Sequence, residues 1–388
     1  MHQKHSEKSS RPPLIFISAA EPSADLYGAA LIRAARNIMP NARFIGVAGP
    51  RMVEAGCHRI FDMSAHAAML AGAFGAVGRG IRMLNTSEAY LRRFPFAAAV
   101  LIDSPTLHLP LAGRAQAAGV PVLYYVAPQM WAWGAHRIHK LRNRVRKVAC
   151  ILPFEEEYFR NQGVDATFVG HPLAEIMAGE PIDERMVASI RAQGAPVVTL
   201  LPGSRKHVVR EVLKGQLEVA RAIVEAFPRS VIGVSVANEQ VRPIVEDAVR
   251  AGGVDVKTFS THRGEWIRAA DLVLVASGTT TLEVAFHARP MIVMYNASRL
   301  MYHLVARWMV RTPFYSLPNI LAQREIVPEF MPYYTSTKPI ADRAIDLLRS
   351  ESRRAEMSAE LERVVEPLRS DRASLHTAEL LRNLRTIH

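Results

Sequence analysis

The sequence predicts an α/β protein made of two doubly wound, Rossmann-like domains, each built on a parallel sheet. Short apolar, β-rich runs alternate with longer amphipathic segments, and that alternation restarts after residues 179–183. The polar blocks described below mostly begin where an apolar run stops, which is where ligands bind in sheets of this kind.

In the first half, strands are expected at 14–18, 43–47, 98–102, 122–126, 148–152 and 167–169, with helical patterns at 25–38, 107–117, 135–144 and 155–162. The second half repeats the theme with strands at 197–201, 230–236, 255–259, 272–275 and 290–295. A domain boundary is therefore expected within 177–195. Residues 1–13 are polar and basic and read as a disordered tail. The first domain is expected over 14–185, the second over 190–340, and a helical tail over 341–388. In that tail Leu361, Val364, Val365 and Leu368, then Leu375, Ala378 and Leu381, recur at helical spacing.

A chain of 388 residues with 49% hydrophobic composition can bury a large core, which excludes disordered and fibrous classes. Its 48 Lys and Arg against 36 Asp and Glu leave a net charge of +12, which implies an anionic partner. Nucleic acid, anionic lipid and phosphorylated substrates all qualify, but no aromatic-interleaved platform or reader motif supports nucleic acid. Cys57 and Cys150 stand without a second Cys or His at ligand spacing and read as reduced thiols, which fits the cytoplasm. The N-terminus lacks the apolar core of a secretory signal. The longest uncharged apolar stretch, 67–78, falls short of the roughly 20 residues that cross a bilayer. Contact with a membrane without spanning it is expected.

Four blocks carry candidate chemistry. Asp103 follows an apolar strand, where its carboxylate can serve as a general base; capping the helix near Leu107 is the plainer role. Leu200-Leu-Pro-Gly-Ser-Arg205 ends a strand in a Gly turn, and there Ser204 and Arg205 open a helix; Arg205 can clamp a diphosphate. Ala276-Ser-Gly-Thr-Thr-Thr-Leu-Glu283 supplies hydroxyls and free amides at a helix start, through Ser277, Gly278 and Thr279, which suits an anion. Glu283 can take the hydroxyls of a ribose or merely stabilise its helix; this block alone does not decide. Ser316-Leu-Pro-Asn-Ile-Leu-Ala-Gln-Arg-Glu325 adds Asn319, Arg324 and Glu325, for which capping and a solvent ion pair are the plainer roles.

With Glu21-Pro-Ser-Ala-Asp25, Gly46-Val-Ala-Gly-Pro-Arg-Met52, Tyr125-Val-Ala-Pro-Gln-Met-Trp-Ala-Trp133, Pro153-Phe-Glu155 and Val169-Gly-His-Pro-Leu173, these blocks stand in an order that resembles the lipid-A-disaccharide synthase family. The resemblance runs from about residue 14 to about residue 333. It implies a GT-B fold with the acceptor on the first domain, the nucleotide on the second, and the C-terminal helices over 341–388 packing back on the first. It implies an inverting transfer in which Asp103 is the base, and in which Ser204, Arg205, Ser277, Gly278, Thr279, Glu283, Asn319, Arg324 and Glu325 hold the UDP-sugar. Glu21, Ser23, Asp25, Trp131, Trp133 and His171 are acceptor-side candidates. Another GT-B UDP-sugar transferase or epimerase, and a paralogue that binds UDP or anionic lipid without turnover, remain open readings.

The expected partners are a UDP-linked acylated sugar, an acylated sugar phosphate and an anionic membrane surface on the inner face of the cytoplasmic membrane; a homodimer is left open. No cofactor and no metal are expected: His136 and His139 sit among Arg137, Lys140, Arg144 and Lys147, whose charge opposes a cation. On one helix those four basic residues would form a stripe, either a solvated face or a patch for an anionic lipid or a phosphorylated acceptor, and 300–314, with Trp308 among Arg307 and Arg311, has the mix of an interfacial helix or of one packed on the nucleotide domain. The chain departs from the family pattern at Ala20, Ala24, Ala71, Gly75, Thr106, Val208 and Gln323. The first five bear on the acceptor. Gln323 stands where Gly is usual, and Gly permits backbone angles that Gln does not.

Overall fold

A computed structural model describes residues 12–62, 73–132, 134–296, 313–369 and 372–385. Trp133, residues 1–11 of the tail, Ala71 and most of 300–314 lie outside the described residues. The chain divides into two compact units, Met1–Gly179 with Leu368–His388 and Glu180–Pro367.

The first unit carries seven parallel strands: β1 (Leu14–Ala19), β2 (Arg43–Val47), β3 (Cys57–Phe61), β4 (Phe96–Ile102), β5 (Val122–Tyr125), β6 (Lys147–Cys150) and β7 (Ala166–Phe168). Their order is β3-β2-β1-β4-β5-β6-β7. Central strands such as β4, Phe-Ala-Ala-Ala-Val-Leu-Ile, are apolar throughout because helices cover both faces. At the edge, β3 exposes His58 and Arg59, so no apolar run announces it and the sequence reading misses it. Close packing at the centre also explains Gly46, where a Cβ would lie 1.8 Å from the Ile17 carbonyl oxygen of the neighbouring strand.

The helices of this unit are α1 (Pro22–Ile38), α2 (Pro50–Glu54), α3 (Ala73–Arg93), α4 (Pro105–Ala117), α5 (Ile138–Arg144), α6 (Pro153–Asn161) and α7 (Pro172–Ala178). The prolines of four sequence blocks, Pro22, Pro105, Pro153 and Pro172, each stand in the first turn of a helix. A helix start suits proline because its ring presets φ and the missing N–H would have had no partner there. The helical pattern expected over 135–144 is present, but it does not reach Lys147, as a single basic stripe would require. A 3-10 turn (Ala135–Arg137) leads into α5, Val145 is extended, and Lys147 already belongs to β6. Arg144 donates to the Leu109 carbonyl and Lys147 pairs with Asp165 from a strand, so Lys147 is not part of a helical stripe.

The second unit has α8 (Glu184–Arg191), β8 (Val197–Leu201), α9 (Lys206–Ala226), β9 (Val231–Ser235), α10 (Arg242–Gly252), β10 (Lys257–Phe259), α11 (Arg263–Ala269), β11 (Leu272–Ala276), α12 (Thr280–Phe286), β12 (Met291–Met294), α13 (Leu317–Ala322) and β13 (Glu329–Phe330). Its sheet is parallel, in the order β10-β9-β8-β11-β12-β13. Only two residues long, β13 leaves no periodicity to read.

The C-terminal tail is divided, which corrects the expectation that 341–388 packs back as one piece. Helices α14 (Lys338–Arg349) and α15 (Glu351–Val365) belong to the second unit, where Ile340, Leu347 and Leu361 are buried. Only α16 (Ala373–Arg385) belongs to the first. There the Ser374 amide donates to Glu175 Oε2 at 2.8 Å, and His376 Nδ1 lies 3.3 Å from the Val169 carbonyl.

Candidate active site

Each sheet reverses its winding at one point, between β1 and β4 in the first unit and between β8 and β11 in the second. Ligands of open α/β sheets bind outside the carboxyl ends of the strands at such a point. Asp103 follows β4, and the Glu21 block follows β1. Arg205 follows β8, and Ser277–Glu283 follows β11. Within each unit the structure thus brings the principal candidate blocks to the switch point.

Asp103 and Ser104 both have a left-handed backbone, with φ of 54° and 48°. Side-chain-bearing residues hold such angles only where the surroundings over-determine them, most often at functional sites. Here the surroundings are explicit. The Asp103 amide donates to the Tyr125 carbonyl at 3.0 Å, and the Asp103 carbonyl accepts from Tyr124 Oη at 2.6 Å and His108 Nδ1 at 2.7 Å. Since a carbonyl can only accept, Nδ1 of His108 carries the proton. Burial lowers the His108 pKa from 6.5 to about 4, which leaves the ring neutral and its Nε2 bare to accept from Ser18 Oγ at 2.8 Å. The chain Ser18–His108–Asp103 therefore ties the end of β1 to the end of β4 and sets the backbone that presents the half-buried Asp103 carboxylate. Ser104 Oγ is buried without a hydrogen-bond partner among the described residues.

The acceptor-side candidates divide. Asp25 is 4% exposed, and its carboxylate accepts from the amides of Gly49, Arg51 and Met52 at 2.8, 3.0 and 3.2 Å. It caps α2, and a Cβ at Gly49 would meet that carboxylate at 2.5 Å. His171 caps α7: Nδ1 accepts from the Leu173 amide at 3.1 Å, and burial holds its pKa at about 3. Both hold a helix start in the fold, so their hydrogen bonds serve the backbone. Glu21 and Ser23 are half-buried at the start of α1. Trp131 is half-buried, and its Nε1 donates to Glu155 Oε1 at 3.0 Å.

In the second unit Ser204 and Arg205 are exposed where α9 begins, after Gly203 with φ of 103°. Asn238 holds the turn by donating to the Ser204 carbonyl at 3.0 Å. Ser277, Gly278 and Thr279 form the turn between β11 and α12, with φ of 140° at Gly278. Glu283 is ion-paired with Arg263 at 2.6 Å, and Arg263 also reaches Thr280 Oγ1 at 3.2 Å. Burial raises the Glu283 pKa while Arg263 opposes that rise. Sequence reading missed Arg263, which lies 20 residues before its partner in an unremarked helix start.

Asn319 is fully buried and its amide is saturated. Nδ2 donates to the Val327 carbonyl and to Glu329 Oε1 at 2.8 and 2.7 Å; Oδ1 accepts from the amides of Ile326 and Val327 at 2.8 and 3.0 Å. It is a lock on the loop before β13, with its amide spent on that loop. Glu329 closes the knot by accepting from the Tyr315 and Ser316 amides at 3.0 and 2.8 Å. Arg324 and Glu325 are exposed on that loop, and Arg324 pairs with Glu360 of α15.

The sequence profile of the family described as lipid-A-disaccharide synthetase matches residues 15–382. A lipid-A-disaccharide synthase of Solibacter usitatus is 34% identical over 379 residues, covering 95% of this chain and 98% of that one. One of Sodalis glossinidius is 36% identical over 358 residues, covering 90% and 93%. Among solved structures, a UDP-GlcNAc 2-epimerase of Neisseria meningitidis bound to UDP-GlcNAc superposes with a TM-score of 0.58 at 10% identity, covering 97% and 100%. MurG of Acinetobacter baumannii does so with a TM-score of 0.58 at 13% identity, covering 96% and 100%. These likenesses show the GT-B fold.

Proposed function

The chain belongs to the lipid-A-disaccharide synthase family, and from that premise we propose that it transfers a 2,3-diacylated glucosamine from UDP to the 6-hydroxyl of 2,3-diacylglucosamine 1-phosphate with inversion. The observation that carries this reading is the match over nearly the whole chain, joined to a carboxylate at the first unit's switch point. Asp103 takes the proton of the acceptor hydroxyl, whose oxygen attacks the anomeric carbon of the donor. The bond from that carbon to the β-phosphate oxygen breaks, and UDP leaves with the electron pair. Arg205 offsets the charge that builds on the leaving diphosphate, a role that needs no metal. Ser204 and the 277–279 turn hold phosphate through hydroxyls and amides. Glu283, oriented by Arg263, faces the ribose, and Arg324 with Glu325 borders the donor.

Peripheral attachment to the inner face of the cytoplasmic membrane accompanies this reading. Three observations support it: the charge of +12, Val77 and Ile81 exposed on α3 beside Arg79 and Arg82, and the finding that no helix among the described residues is long and apolar enough to cross a membrane. The test is turnover with UDP-2,3-diacylglucosamine and 2,3-diacylglucosamine 1-phosphate, following UDP and the β-1,6 disaccharide together. Both products in equal amount are expected. UDP binding without disaccharide would move the chain to a different acceptor or to a binding role.

A further inference from the structure

Glu155 is buried in the first unit, 1% exposed, and among the described residues the groups hydrogen-bonded to its carboxylate are all donors. Oε2 accepts from the amides of Ile151 and Leu152 at 3.3 and 3.1 Å, which caps α6, and Oε1 accepts from Trp131 Nε1 at 3.0 Å. The Trp131 ring also meets Phe154 edge to face at 4.9 Å between centroids. Trp131 lies in the segment after β5 that opens with Val126 in a left-handed conformation, φ 62°, directly after the residue whose carbonyl holds the Asp103 amide. One carboxylate thus joins the carboxyl ends of β5 and β6 beside the end of β4.

We propose that Glu155 is a positioning residue for the transfer reaction: its ionised carboxylate holds Trp131, and with it the segment 126–132, as a wall of the acceptor site. The proposal rests on the acceptor site lying on the first unit. Ionisation matters because three donors converge on two oxygens, and a protonated or amidated group turns a hydrogen toward one of them. Burial opposes the charge and sets the Glu155 pKa at about 7, so the hold is made above neutral pH and released below it. The titratable groups that bear on Glu155 are Asp103 after β4, whose charge raises it further, and the buried Cys150 thiol of β6.

The experiment compares wild type, Glu155→Gln and Trp131→Phe in two readouts between pH 5.5 and 8.5. The first is tryptophan emission without substrate. Wild type is expected to show a step near pH 7 that Glu155→Gln loses, and Trp131→Phe, which lacks the reporting indole, identifies Trp131 as its source. The second is KM for 2,3-diacylglucosamine 1-phosphate. In wild type KM is expected to rise about tenfold as pH falls through 7, the effect of losing one charge-assisted hydrogen bond; both variants keep the high KM at every pH, with kcat little changed. The acceptor phosphate titrates in the same range, so each comparison is made between proteins at one pH. A Glu155→Gln protein with the wild-type emission step and the wild-type KM profile overturns the proposal. Trp131→Phe keeps an aromatic side chain and the α6 cap while removing the Nε1 donor, so its KM profile decides the matter if Glu155→Gln does not fold. The emission step needs no substrate: if wild type makes no disaccharide, the acceptor reading fails while the hold on Trp131 is still judged by itself.

Discussion

The two switch points use opposite means. In the first unit, Asp103 stands on a backbone fixed by buried neutral groups: Ser18, His108 and Tyr124 spend their hydrogen bonds on the Asp103 carbonyl and its tether. In the second, Arg205 and Ser204 are exposed at a helix start, and Arg263–Glu283 form a partly buried ion pair. A base must be aimed at one proton, which favours a rigid, over-determined backbone. A diphosphate is bound by several convergent donors, which tolerates exposed and adjustable groups.

Substitution at Asp103 is the largest expected break in that contrast. Asp103→Asn keeps size and backbone bonds, so kcat is expected to fall about 10²–10⁴-fold while UDP affinity, measured by calorimetry, stays at the wild-type value. Equal loss of both would mean that Asp103 supports the fold or the nucleotide and does not act as the base. Asn319→Ala tests the second unit in the reverse sense. It removes four hydrogen bonds from a buried loop and is expected to lower the stability of that unit by about 3 kcal/mol. Denaturant unfolding together with hydrogen exchange locates the loss; an unchanged midpoint would show that the loop refills its bonds from elsewhere.

Acidification separates the units without any substitution. The folded pKa values of His108 and His171 are depressed to about 4 and about 3, so below pH 6.5 the unfolded chain binds protons that the folded chain does not, and stability is lost as pH falls. Glu155 works against this: its folded pKa of about 7 lies above 4.5, so in the window from 4.5 to 7 the folded chain holds the extra proton. Two histidines against one carboxylate leave a net loss in the first unit of about 2 kcal/mol between pH 6.5 and pH 5. Amide exchange in β1, β4 and β5 should quicken over that range while β8 and β11 change less. Equal quickening in both units would contradict the assignment.

The same contrast explains what could be read from the amino acids alone. Apolar runs that end in polar blocks located β4, β8 and β11, and with them Asp103, Arg205 and Ser277, because a strand buried on both faces leaves a strong signal and its end is where the polar residues appear. Residues whose work is to satisfy backbone amides looked the same as ligand-binding ones. Asp25, His171 and Asn319 sit in the same blocks as candidates for chemistry, and their burial and backbone hydrogen bonds show a structural task that the sequence does not. His108 gave one available signal, a single imidazole among apolar residues four positions from Ser104, but its partners are 90 residues away on β1 and on the Asp103 backbone. Arg263 and Glu283 likewise meet only through the tertiary placement of the starts of α11 and α12, which no spacing rule encodes.

Gln323 is the smallest test and the one departure from the family pattern whose cost the backbone itself displays. It ends α13 in a left-handed conformation, φ 54°, the position where helices favour Gly because a Cβ crowds the neighbouring carbonyl. A non-glycine residue there costs roughly 1–2 kcal/mol, and Gly returns part of that as extra freedom of the unfolded chain, roughly 0.5–1 kcal/mol. Gln323→Gly is therefore expected to raise the stability of the second unit by about 0.5–1 kcal/mol, read as a higher denaturant midpoint at unchanged slope. Because Gln323 adjoins Arg324, the same variant also reports on the proposed donor border: a stability gain with unchanged KM for the UDP-sugar would place the substitution in the loop alone. A change in that KM would show that the side chain at 323 reaches the donor, and would make this loop the adjustable edge of the second unit's site.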